Sequence, residues 1–236
     1  MLTFCTSIFR NSGNYIYYTF AYLILKQQFL CSDPNWDDPS FRSCPTSEIC
    51  LARENPNSSL RYIIDTEYKY YFNNWYIEMD LTCTPLAKVS IMITAYYICF
   101  AGGSIFYTTP EKFGRKTSVM ASAFLSLIAQ TIMMWSNNLT VRTFCFCGMG
   151  LSQIKNSVSY VWLSECVPQP LKSQAYTFIN ILDAVPMAIF CAYVSYIDPD
   201  WFSINLYALG FSYLAFILAF FCPESPRWYL VNGKRE

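Results

Sequence analysis

Histidine is missing altogether from the 236 residues, and charge is scarce: Asp, Glu, Lys and Arg make up 14%, against about 25% in an average soluble domain. Without histidine there is no Ser-His-Asp triad, no imidazole metal site and no imidazole pH switch. No C-x-x-C pair occurs among the 11 cysteines, which removes the zinc-ribbon and thioredoxin patterns. The 16 basic and 16 acidic residues cancel, so no nucleic-acid footprint is present. No nucleophile stands with a base, no glycine-rich loop cradles phosphate, and no metal-ligating cluster is visible. Neither an enzyme nor a bound cofactor or metal is expected.

What the chain has instead is apolar length. Hydrophobic residues make up 54%, and a soluble fold so poor in charge would expose large apolar patches. A helix crossing the roughly 30 Å hydrocarbon layer needs about 20 apolar residues. Thr117–Ser136 and Phe202–Phe221 each supply 20 without a charge. Leu86–Thr109 carries only Lys88, near enough to one end to snorkel. Leu139–Ser164 carries Arg142 and Lys155, and Ser173–Ile197 carries Asp183 and Pro186, whose ring is expected to kink the helix. Leu2–Leu25, interrupted by Arg10, Asn11, Gly13 and Asn14 and rich in tyrosine, lacks a signal peptide's basic start and cleavage site. It reads as a first helix, its N-terminal part lying before this chain.

The expected fold is therefore an all-α membrane protein of six helices. Residues 1–28 hold the first helix, 29–84 a long loop, 85–222 helices two to six, and 223–236 the start of a linker. Lys112, Arg115, Lys116, Lys172, Arg227, Lys234 and Arg235 all fall on one side. By the positive-inside rule that side and both termini are cytoplasmic. The loop carries Cys31, Cys44, Cys50 and Cys83, and in an oxidising space two disulfides are expected, with three connectivities open. Cys145 and Cys147 read as core packing. Asn57-Ser58-Ser59 is a glycosylation sequon on the outer side; Asn138-Leu139-Thr140 lies too near the bilayer for easy modification.

Three motifs sit at the cytoplasmic helix ends. Pro110-Glu111-Lys112-Phe113-Gly114-Arg115-Lys116 follows the second helix, where Gly114 permits a tight bend and the charges stay in water. Pro223-Glu224-Ser225-Pro226-Arg227-Trp228-Tyr229-Leu230 closes the sixth, with Glu224 and Arg227 placed to pair. Gly148-Met149-Gly150 in the fourth helix is followed by Leu163-Ser164-Glu165, Pro168 and Lys172. These are similar to D-R-x-G-R-[RK], P-E-S-P-R-[WFY]-L and G-x-G…L-S-E-x-x-P of the major facilitator superfamily, and the chain resembles the N-terminal six-helix half of such a transporter. Glu111 and Lys112 replace the usual Asp and Arg. Arg142 stands six residues before Gly148, out of register with the family's arginine. The long cysteine-bearing loop and Trp75–Cys83 resemble the organic cation, anion and carnitine branch, with sugar porters second.

The resemblance implies transport of a small organic solute by alternating access, in a plasma or organelle membrane. The partners it implies are the lipid bilayer, the solute and a second six-helix half, either a C-terminal bundle or another chain. It also implies a conformational gate built from Glu111, Lys112, Gly114, Arg115, Lys116, Glu165, Lys172, Glu224 and Arg227. Charges inside a membrane are costly and mark pathways, which makes Lys155 and Asp183 candidate substrate contacts unless they pair with one another. Tyr160 is a candidate for stacking on an organic cation. The rival reading is a truncated membrane protein that binds or regulates other subunits without transporting.

Overall fold

The computed structural model describes residues 15–34 and 40–232. Arg10, Lys234, Arg235 and the first half of the expected opening helix lie outside them. Helix α1 spans Tyr15–Leu23. A long connection follows, carrying strands β1 (Phe29–Ser32) and β2 (Arg42–Cys44), helix α2 (Thr46–Glu54), strand β3 (Arg61–Ile64), the short helix α3 (Trp75–Glu78) and a 3-10 turn at Leu81–Cys83. Then come α4 (Leu86–Gly103), a 3-10 stretch at Ser104–Thr108, α5 (Thr109–Phe113), α6 (Arg115–Trp135), α7 (Leu139–Leu151), α8 (Ile154–Cys166), α9 (Lys172–Tyr196), α10 (Trp201–Ala219) and α11 (Pro226–Val231).

Among the described residues, four helical rods are long and apolar enough to cross a membrane: Leu86–Phe113, Arg115–Trp135, Gln169–Tyr196 and Trp201–Ala219. Leu139–Ser164, expected as one span, is instead two helices of 13 residues each. Two glycines and Ser152 weaken the helix there. The Ser152 hydroxyl donates to the Met149 carbonyl at 2.7 Å, and Gln153 N–H bonds back only three residues, to Gly150. That backbone stays right-handed, so the interruption is a tightened turn rather than a loop. Pro186, by contrast, lies inside α9 without ending it.

The closest helix pair is α4 against α7. A Cβ placed on Gly150 would stand 2.2 Å from the Tyr96 carbonyl oxygen, and one on Gly103 would stand 3.3 Å from that of Leu151. Only glycine lets the two backbones approach so far, as in other membrane helix pairs. A disulfide, Cys99–Cys147, joins the same two helices. The expectation that Cys147 merely packs is thus corrected, while Cys145 is a buried free thiol.

The loop is a small folded unit. Its strands form an antiparallel sheet in the order β2-β1-β3. Of the three possible pairings the structure takes Cys31–Cys44, joining β1 to β2, and Cys50–Cys83, joining α2 to the 3-10 turn. Arg53 bridges Asp80 and the Tyr62 hydroxyl, and these hydrogen bonds hold its guanidinium pKa above the ordinary value. The unit is fastened to the bundle at three points. Asn74 Nδ2 donates to the carbonyls of Tyr22 and Leu25. Asn73 bonds the α9–α10 link through Pro199, Asp200 and Trp201. The third is Arg142, wholly buried in α7: Nη2 lies 3.0 Å from Glu78, Nε 2.6 Å from the Ser136 carbonyl, and the guanidinium centre 4.3 Å from the Trp75 ring and 5.2 Å from the Trp201 ring.

Breaking a buried ion pair strands the remaining charge and typically costs about 3–5 kcal/mol. Arg142→Ala is therefore expected to lower the thermal midpoint of the purified protein clearly and to speed proteolysis within 29–84. Arg142→Lys, which keeps the charge but loses the flat fork over two tryptophans, is expected to fall between. An unchanged midpoint for Arg142→Ala would show that the clamp contributes nothing to stability.

Candidate functional site

Besides the Arg142 clamp, polar side chains among the described residues gather at a helix-end cluster and around a hollow. The first lies where α6 begins, α8 ends and α10 passes into α11. The Gly114 backbone has φ = 101°, the left-handed region that glycine enters at no steric cost. That turn leaves the first amides of α6 open, and the Glu224 carboxylate takes the Lys116 N–H at 2.9 and 3.2 Å. A carboxylate at a helix N-terminus is favoured by the exposed amides and the helix dipole. Lys116 makes the reverse contact, its Nζ 2.7 Å from the Phe220 carbonyl at the end of α10. Each helix end thus meets the charge that suits it.

Glu165, only 4% exposed, is the centre of the same cluster: Arg115 reaches it at 3.3 Å, Arg227 at 3.9 Å, and the Ser225 hydroxyl donates to it. Arg227 itself is 74% exposed, so its contribution is screened and small. The sequence expectation that Glu224 and Arg227 pair is corrected. Glu224 is taken up by the α6 amide and Arg227 turns to Glu165. Of the nine residues assigned to a gate, Gly114, Arg115, Lys116, Glu165, Glu224 and Arg227 come together. Glu111 joins through its backbone carbonyl, which accepts from Trp228 Nε1 at 3.1 Å. Lys112 is exposed and Lys172 begins α9, and neither makes an ion pair among the described residues.

The second place is a hollow of about 200 Å³ beside the α7–α8 turn, halfway along 139–166. Tyr17 and Tyr18 of α1 form one wall, Tyr96, Tyr97 and Phe100 of α4 another, and Gln153, Asn156 and Ser157 the floor. The Tyr17 and Tyr96 rings stack at 4.5 Å, and the Tyr17 and Tyr97 hydroxyls are 2.6 Å apart. Asn156 Nδ2 donates to Gln153 Oε1. Aromatic faces, hydroxyls and amides line this hollow, and among the described residues no charged side chain does.

Sequence reasoning did not find it. The only hint was the tyrosine pairs in two segments that the tertiary fold brings side by side. The three residues it did nominate lie elsewhere. Lys155 is wholly buried, its Nζ 3.1 Å from Ser126 Oγ of α6. Tyr160 donates to Asn180 at 2.7 Å and rests against Tyr176. Asp183 is half-buried in α9. None of them lines the hollow.

Comparison with known proteins agrees with this architecture. The family model for sugar (and other) transporters matches residues 57–236. Organic anion transporter 3 of Mus musculus is 28% identical over 162 residues, covering 66% of this chain and 29% of the relative. Monosaccharide-sensing protein 3 of Arabidopsis thaliana is 25% identical over 171 residues, covering 68% and 23%. Organic cation/carnitine transporter 2 of Homo sapiens is 23% identical over 175 residues, covering 70% and 30%. The match thus takes up less than a third of each relative's length. The inward-open xylose transporter XylE of E. coli superposes with a TM-score of 0.53 at 15% identity, covering 97% of this chain and 48% of its own, a likeness of fold. Family and fold are those of major facilitator transporters, not of enzymes, and with the apolar rods they make this an integral membrane protein.

At the helix-end cluster, a Cβ on Gly114 would fall 2.5 Å from Glu224 Oε2 in a backbone conformation that L side chains resist. Gly114→Ala is expected to cost on the order of 2 kcal/mol, from strain at positive φ together with displacement of the Glu224 cap. Thermal unfolding of the detergent-purified variant checks this, and a midpoint equal to the parent's would refute the cap.

Proposed function

The chain belongs to the sugar (and other) transporter family, and from that premise we propose that it forms one six-helix bundle of an alternating-access transporter for a small organic solute. The solute is held in the tyrosine hollow, and the second bundle comes from another segment of the same protein or from another chain. The observation that carries the reading is the hollow's position and chemistry. It sits at mid-depth beside the broken rod 139–166, where such transporters bind their cargo between two rocking bundles. Unwound or tightened backbone in a membrane is tolerated where it lines a cavity, and Gln153 and Asn156 lie there.

The tyrosine lining favours an organic cation or a carnitine-like zwitterion over an anion, since the ring quadrupole attracts cations. A second reading, a hexose, is favoured by the amides and hydroxyls of Gln153, Asn156, Tyr17 and Tyr97, which suit a sugar's hydroxyls. The helix-end cluster, with Arg115, Lys116 and Arg227, lies in the cytoplasm. The disulfide-bearing loop faces outward across the plasma membrane, with Asn57 glycosylated. Asn57 lies in an exposed turn, whereas the Asn138 side chain is engaged as the cap of α7, accepting from Thr140 N–H at 2.8 Å.

Uptake into proteoliposomes holding this chain together with a second bundle tests the proposal, using an organic cation, an organic anion, carnitine and a hexose. Saturable cation or carnitine uptake is expected, with KM raised about tenfold in Tyr97→Ala, whose ring is 52% exposed and lines the hollow, roughly the 1–2 kcal/mol of a cation–π contact. Uptake of the hexose alone would select the second reading. No uptake of any solute would leave a non-transporting partner protein. For the orientation, a glycosidase-sensitive mobility shift is expected in the parent and absent in Asn57→Gln; a parent that never shifts would remove the assignment of Asn57.

A further inference from the structure

We infer that the Cys99–Cys147 disulfide is a tether that positions the tyrosine wall of the hollow. Four of the six bonded cysteines lie in the loop, where a small unit without a large core needs covalent staples. The third bridge is different. It links α4 to α7 inside the apolar rods, across 48 residues of sequence, with the Cα atoms 5.2 Å apart.

Its neighbours on both helices belong to the hollow or to its support. On α4, Cys99 follows Tyr96 by three residues and precedes Phe100, so Cys99 and Tyr96 share one helix face. On α7, Gly150 follows Cys147 by three residues and is the glycine against the Tyr96 carbonyl. Bridge and glycine contact are therefore two adjacent layers of one interface, and both fix the backbone that carries Tyr96. The ring of Tyr96 in turn stacks on Tyr17, whose hydroxyl meets that of Tyr97. α1 meets this wall through that stack. Glycine packing alone permits close approach but does not enforce it, because a glycine offers little surface to hold its neighbour. The covalent bond enforces it. Without the bond, α4 is free to draw back from Gly150, the Tyr17–Tyr96 stack opens, and the Tyr96 ring, now 5% exposed, becomes accessible.

Tetranitromethane nitration of the purified protein, read tyrosine by tyrosine by peptide mass spectrometry, tests this without reference to transport. Tyr70 on the loop, 62% exposed, serves as an internal standard. In Cys99→Ala/Cys147→Ala, nitration of Tyr96 relative to Tyr70 is expected to rise at least threefold; an unchanged ratio would overturn the tether. Should that variant not yield folded protein, the parent decides. After thiols are blocked with N-ethylmaleimide and the chain is digested without reduction, the Cys99 and Cys147 peptides are expected as one linked species. Recovery of both as alkylated peptides would overturn it. The consequence for solute binding rests on the function proposed above: KM is expected to rise several-fold in the double variant with the maximal rate kept. Uptake absent from parent and variant alike would sink that function, while nitration and peptide mapping still decide the tether.

Discussion

The contact between Gly150 and the Tyr96 carbonyl sets the geometry of most of this bundle. In lipid no hydrophobic drive brings helices together, so association depends on how closely backbones can approach. Two glycines facing the neighbouring backbone, at 103 and 150, make α4 and α7 the closest pair. The glycine at 150 also loosens its own helix. The same few residues therefore yield tight packing on one side of α7 and a tightened turn at its end. The tyrosine hollow occupies the angle between the two.

Charge obeys a second constraint, that an ion in an apolar layer must be paired or moved to an end. At one end Arg142 is enclosed between two tryptophans and Glu78, fixing the loop unit onto α7 and α10. At the other, Glu165 and Glu224 collect Arg115, Arg227 and the α6 amide. Both clusters join segments far apart in sequence, and between them they hold the two ends of the same rods. Lys155 lies mid-rod, wholly buried, with its Nζ against the Ser126 hydroxyl of α6.

The apolar runs, the side bearing the basic residues, the cysteines of the loop and the motifs at the helix ends were all legible along the chain, because each is local. A charge-free run of 20 residues has few places to go other than lipid, and a glycine before two basic residues at the end of such a run makes a turn. The break in the fourth rod was less legible. Glycine and serine are tolerated in membrane helices, and a serine hydroxyl bonded to a carbonyl three residues back, as at Ser164, does not by itself end one. Glu224 and Arg227, three residues apart on one segment, look complementary, but the Lys116 amide at the start of α6 takes up Glu224, and Arg227 faces Glu165 instead.

That the chain is apolar, helical and membrane-bound, with a cysteine-stapled loop and a transporter's helix-end motifs, can be read from its residues in order. These follow from local composition and spacing. Tertiary structure alone decided which cysteines meet, that Arg142 anchors the loop, that Lys155, Tyr160 and Asp183 stand apart from the hollow, and that tyrosines some 80 residues apart face one another. The physical reason is that those outcomes depend on the rotation and approach of whole helices, which are set by where glycine permits backbones to touch and not by the identity of the residues that are brought together.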